Sequence, residues 1–138
     1  MPLKAMKALH HCVYNLTYHL VLVTKYRRRC ITAAMLERLK EVCTELTLKW
    51  ECELLEFNGE ADHVHLLLSL NPKVAPSVFA NNLKTVSSRY IRRDFGKELA
   101  KVYSNKPVFW SRSYCIITCG GAPLSIIKQY IEQQEAPH

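Results

Sequence analysis

The sequence predicts an α+β fold built around one antiparallel sheet. Apolar residues alternate at strand spacing and then recur at helix spacing, in the order strand, helix, strand, strand, helix, strand, helix. Asn58-Gly59 lies between two of the strands as a hairpin turn signal. The chain has 138 residues, 49% of them hydrophobic, which buries a core without a disulfide or metal staple and excludes a disordered chain. These bounds fit one domain spanning 1–138.

The first strand is carried by "VYNLTYHLVLVTKY", rich in β-branched and aromatic residues, and "YRRR" ends it. Thr32 is the N-cap of the first helix, which runs to about Trp50 with Leu36, Leu39, Val42 (or Cys43) and Leu46 as its apolar stripe. "CELLEFNGEADHVHLLLSL" supplies two strands with the turn at Asn58-Gly59. "PSVF" opens the second helix, whose buried face is Phe79, Leu83, Val86 and Tyr90 and which stops near Gly96. A polar loop containing "NKPVFW" leads to the last strand, "SYCIITC". Gly120, Gly121, Ala122 and Pro123 then introduce a final helix, "LSIIKQYIEQQ", in which Leu124, Ile127 and Ile131 pack inward. The order βαββαβ resembles the ferredoxin-like fold, an antiparallel sheet with two helices on one face, extended here by a C-terminal helix.

Nineteen Lys and Arg against twelve Asp and Glu give a net charge of +7, which favours a polyanionic partner such as nucleic acid. The six cysteines, at 12, 30, 43, 52, 115 and 119, contain no Cys-x-x-Cys pair and read as reduced thiols of a cytoplasmic protein. "MPLKAMKALHHC" has no continuous apolar core of a signal peptide, and the longest apolar run, "LVLV", is far below the roughly 18 residues of a membrane helix. No membrane partner is expected.

The most informative stretch is "DHVHLLLSL", Asp62 to Leu70. On a strand, Val64, Leu66, Leu68 and Leu70 line one face, and His63, His65, Leu67 and Ser69 line the other. The two helices of the βαββαβ unit cover the leucine face, so the last helix is left to meet the histidine face. Two neutral imidazoles on one strand face can converge on a cation, although such a pair is equally the ordinary furniture of a polar sheet face. On the last helix Tyr130 and Gln134 are four residues apart and share a side. Taken singly, the first reads as a packing residue and the second as an exposed helix former.

"YHLVLVTKYRR", "DHVHLLL" and "FWSRSYCIITCGGAPLSIIKQYIEQQ", in that order and over nearly the whole chain, resemble the single-tyrosine HUH transposases of small bacterial and archaeal insertion sequences, the IS200-like TnpA type. The resemblance implies an enzyme that cuts and rejoins single-stranded DNA at imperfect hairpins marking transposon ends. It implies Tyr130 as the nucleophile, with His63, His65 and Gln134 as ligands of a divalent metal. The chemistry suits those residue types. A tyrosine oxygen attacking a phosphodiester stores the bond in a 5′-phosphotyrosine, so the strand is resealed without a nucleotide cofactor. Two imidazoles and one amide leave coordination positions open, which suits Mg²⁺ or Mn²⁺ better than a closed structural Zn²⁺ site. The resemblance also implies a homodimer joined along a sheet edge, with the tyrosine helix of one subunit completing the histidine site of the other and Gly120-Gly121 as the hinge.

Lys25, Arg27, Arg28 and Arg29 form one basic cluster, and Lys84, Arg89, Arg92 and Arg93 another on the second helix. Either is a phosphate-contact surface or a solvated face. Tyr26 and Tyr114 are candidates to stack on unpaired bases, whereas Trp110 reads as core. His10, His11 and His19 read as exposed or strand-packed, and Glu132, Gln133 and Glu135 as solvated surface. Two other classes share parts of this pattern. A related HUH nickase or repeat-associated tyrosine transposase keeps the site and changes the DNA target; a non-catalytic ferredoxin-like nucleic-acid binding module is indifferent to metal and to Tyr130.

Overall fold

A computed structural model describes residues 7–9, 12–119 and 124–134. Strands β1 (Lys7–Leu9) and β2 (Cys12–Tyr14) form a separate antiparallel pair. The predicted first strand is therefore interrupted: its start belongs to β2, and β3 (Thr17–Val23) begins after Asn15, whose side-chain oxygen accepts from the Thr17 hydroxyl. Helix α1 (Ala33–Lys49) follows, with the Thr32 hydroxyl accepting from the Met35 N–H as the sequence predicts. Next come β4 (Glu53–Gly59), β5 (His63–Ser69), α2 (Pro76–Asp94), α3 (Gly96–Tyr103), β6 (Cys115–Thr118) and α4 (Leu124–Gln133).

Strands β4, β5, β3 and β6 form one sheet in that spatial order, every neighbour antiparallel. This is the ferredoxin-like arrangement. The central strands are β3 and β5, paired from Thr17↔Ser69 to Val23↔His63. Opposed residues share a face, so Leu20 and Leu22 join Leu66 and Val64 on the side covered by α1 and α2. There Met35, Leu39, Phe79 and Leu83 complete a fully buried core.

Three details depart from the sequence expectation. Asn58-Gly59 is not the turn: β4 continues through both, with Asn58 opposite His65 and Gly59 opposite Val64, and the chain reverses at Glu60 to Asp62. Glycine is there for space, because a Cβ at 59 would lie 2.6 Å from Leu36 Cδ1, 2.9 Å from Val64 Cγ1 and 3.0 Å from the His63 carbonyl oxygen. On α2 the buried line is Phe79, Leu83, Ser87 and Ile91 rather than one through Val86 and Tyr90. The Trp110 indole N–H donates to the buried Ser87 hydroxyl, while Tyr90 turns outward between the guanidinium groups of Arg38 and Arg93, 5.2 and 4.6 Å from its ring centre. Finally, α2 ends at Asp94, near Gly96 as expected, but Gly96 opens a further helix. The break is at Phe95, and α3 then buries Leu99 and Tyr103 where a polar loop was expected.

All six cysteines are unpaired. Among the described residues no helix is long and apolar enough to cross a membrane. Gly120, Gly121, His10, His11 and Glu135 lie outside the described residues.

Candidate active site

The face of the sheet opposite the core carries the histidines. His63 and His65 lie side by side on β5 with ring centres 6.0 Å apart and planes inclined by 25°. Their strand partners are Val23 and Val21, both fully buried, so the imidazoles stand on a rigid apolar floor. A cavity of about 490 Å³ opens above them, walled by β4 residues Glu56 and Asn58, by Glu60 in the turn, and by Ile131 and Glu132 of α4.

Asp62 holds the first imidazole in place. Its carboxylate is only 3% exposed; Oδ1 lies 2.8 Å from His63 Nδ1, and Oδ2 accepts from Arg27 Nε at 2.9 Å. Burial alone would raise its pKa, but the hydrogen bonds from His63 and Arg27 outweigh that and keep the carboxyl below its usual range. In the tautomer that donates Nδ1–H to Asp62, His63 presents its Nε2 lone pair to a cation. Burial, then the neighbouring His63 and His19, lower the pKa of His65, which keeps that ring neutral and able to ligate near pH 7.

The 24–28 segment brings Arg27 to this point at a cost in backbone strain. Tyr26 and Arg27 both have left-handed backbones, φ 59° and 54°, a conformation unfavourable for bulky residues. It persists because neighbours determine it: the Thr24 hydroxyl donates to the Arg28 carbonyl, the Tyr103 hydroxyl to the Lys25 carbonyl, and the Lys25 N–H to the Phe109 carbonyl.

Helix α4 walls the same cavity, but Tyr130 on it and Gln134 just past its end point toward the segment before β6. The Tyr130 hydroxyl is 3.0 Å from Ser113 Oγ, and Gln134 Oε1 accepts from Ser111 Oγ at 2.9 Å and from Ser113 Oγ at 3.3 Å. Burial raises the Tyr130 phenol above its ordinary pKa, with the Ser113 hydrogen bond partly opposing it. Neither residue lines the histidine cavity. Register explains why: β6 lies beyond β3, with Cys115 and His65 both opposite Val21, about 10 Å apart across two strand spacings. Among the described residues no group of three or more His, Cys, Asp or Glu side chains is assembled around a metal position. The two imidazoles beside Glu56, Glu60 and Glu132 nevertheless suit a cation, whereas the Gln134 amide is turned away from them toward Ser111 and Ser113.

The basic residues divide. Arg27 faces the histidine cavity, and Arg28 lies 5.8 Å from the Tyr26 ring centre. Arg93 is ion-paired with Asp94, and Arg89 is exposed on α2. Lys25 and Arg92 share a different groove with Lys84 and Arg112. Trp110 is core, as expected. Sequence reasoning did not single out Asp62, His19, Arg112, Ser111 or Ser113. Asp62 adjoins the His-x-His pair, and His19 is placed in the cavity by pairing with Leu67.

The profile of the family described as transposase IS200-like matches residues 12–134. The chain is 31% identical over 134 residues to the ISDra2 transposase TnpA of Deinococcus radiodurans, covering 97% of this chain and 94% of that one. It is 34% identical over 128 residues to the transposase for insertion sequence element IS200 of Salmonella typhimurium, covering 93% of this chain and 82% of its relative. A crystal structure from Deinococcus radiodurans R1, assigned as a transposase, superposes with a TM-score of 0.85 at 32% identity, over 95% of this chain and 99% of that one. The matched span takes in the histidine strand and the tyrosine helix, and on it this chain belongs to the IS200-like transposases.

Proposed function

We propose that this transposase cuts and rejoins single-stranded DNA beside hairpins at transposon ends, with Tyr130 as the attacking group. The observation that carries the reading is the paired imidazoles of His63 and His65, the first hydrogen-bonded to Asp62, in a cavity walled by the same helix that bears Tyr130. In the reaction the Tyr130 oxygen bonds to phosphorus and the bond to the 3′ oxygen breaks. The products are a 5′-phosphotyrosine and a 3′-hydroxyl that takes up a proton. Attack by another 3′-hydroxyl on that phosphotyrosine reseals the strand and returns the phenol, so no external energy source is needed. Mg²⁺ or Mn²⁺ held by His63, His65 and Gln134 would offset charge on a non-bridging phosphate oxygen and orient it.

Tyr130 begins from a protonated, half-buried state against Ser113, so attack requires both removal of that proton and approach to the histidines. Two routes exist: a shift of α4 within one chain, or a histidine cavity provided by the second subunit of a homodimer. The decisive experiment incubates the protein with a library of single-stranded hairpin oligonucleotides, with Mn²⁺ or Mg²⁺ and with EDTA, and scores covalent adducts on denaturing gels. The expected result is an adduct that EDTA abolishes and that Tyr130→Phe lacks entirely. An adduct that survives Tyr130→Phe overturns the assignment, and binding with no adduct indicates a binding protein.

A further inference from the structure

Away from the histidine cavity, a second concavity of about 470 Å³ lies between α2, the 24–28 turn and residues 107–112. Its charge is opposite in character. Lys25, Lys84, Arg92 and Arg112 line it, and none of the described residues on its walls is acidic. Folding has placed these cations together without counter-charge: Lys84 is half-buried with its ammonium donating to the Arg112 carbonyl, and burial with the nearby Lys25 lowers its pKa. Packing like charges this way costs free energy unless an anion joins them.

The groove also leads somewhere. Lys25, Ser111 and Arg112 are shared with an adjoining hollow of about 310 Å³ that continues past Tyr26 and Ser113 to Gln133 and Gln134. Ser113 is the residue that holds the Tyr130 hydroxyl. The Tyr26 ring lines this continuation, with Lys25 and Arg28 against it at 5.4 and 5.8 Å from its centre, and Lys84 lies 5.7 Å from the Tyr114 ring centre. Cations for phosphates beside aromatic faces for bases are what an unpaired strand needs and a duplex, with its bases stacked inside, cannot use.

We propose that this acid-free groove is the track along which single-stranded DNA is led to Tyr130, with Lys25, Lys84, Arg92 and Arg112 on its phosphates and Tyr26 under a base. The inference rests on the transposase reading above and adds to it a path and a set of contacts.

The test uses the full chain, with fluorescence anisotropy on a labelled oligothymidylate and on a blunt duplex with the same number of phosphates, across a salt series. Arg112→Gln and Arg92→Gln should each weaken oligothymidylate binding about three- to tenfold at low salt and reduce the salt slope by about 0.7. Duplex binding should change less than twofold. Lys40→Gln, on the exposed side of α1, should change neither, and circular dichroism establishes that each variant is folded. Equal losses on both probes, or an equal loss with Lys40→Gln, overturn the groove. Adduct assays on the same proteins separate the two claims. Wild-type adducts with unchanged strand binding in the groove variants leave the transposase reading standing and remove the track. Groove-dependent binding without any adduct does the reverse.

Discussion

Asp62 is the residue on which the site's order depends most directly. It is buried, adjoins the histidine pair in sequence, and joins His63 to Arg27. An imidazole whose Nδ1–H is held by a carboxylate presents Nε2 in one tautomer and one orientation, and loss of such a partner costs about 10- to 100-fold in metal affinity. Asp62→Asn should therefore weaken Mn²⁺ binding by about that factor, checked by calorimetric titration, and should shift the His63 tautomer signal in nitrogen NMR of the metal-free protein. A pH effect on stability follows with its sign. Because the folded carboxyl sits below its ordinary value of 3.8, its contribution is complete above that value and is lost as pH falls through the depressed one. The same substitution should flatten the acid limb of stability below about pH 4, measured by urea denaturation at stepped pH.

At the scale of elements, close packing decides where side chains point. Gly59 lets β4 pass under Leu36 and beside Val64, against the carbonyl of His63. Gly59→Ala should cost about 1–3 kcal/mol, since the methyl overpacks a site in which one neighbour is backbone. The urea midpoint measures it, and Mn²⁺ affinity should fall as well because the His63 backbone must shift. On α2, Ser87 takes the buried position that a simple apolar stripe would give to its neighbour Val86, since it is the acceptor for the Trp110 indole N–H. Ser87→Ala leaves that donor unsatisfied, a loss of about 1–3 kcal/mol in thermal or urea unfolding. Periodicity located α2 correctly but misplaced its face by one residue, because a hydroxyl carries no hydropathy signal for a partner distant in sequence.

The whole molecule divides its charge between two concavities, one walled by β4, β5 and α4 and the other by α2 and residues 107–112. One places Glu56, Glu60 and Glu132 around the imidazoles and suits a cation; the other gathers lysines and arginines and suits phosphates. Tyr130 rests on the phosphate side, near Cys115 and two strands from the histidines. If a homodimer exchanges tyrosine helices, Tyr130→Phe and His63→Ala chains, each inactive alone, should recover cleavage when mixed, through the composite site that has both an intact tyrosine and intact histidines. Adduct yield in the mixture reports it, and no recovery places the working site within one chain.

The sequence by itself determined the sheet order through βαββαβ, the N-cap at Thr32, the face shared by His63 and His65, and the membership that the ordered motifs imply, because these depend on local period, capping and spacing along the chain. Only the tertiary structure decided the rest. It resumed the chain as α3 after Phe95, made Gly59 a packing glycine, turned Arg27 from the basic cluster onto Asp62, and assembled Arg112 with Lys25, Lys84 and Arg92. Each of those depends on a neighbour dozens of residues away, whose approach is set by which face the sheet buries rather than by anything adjacent in the chain.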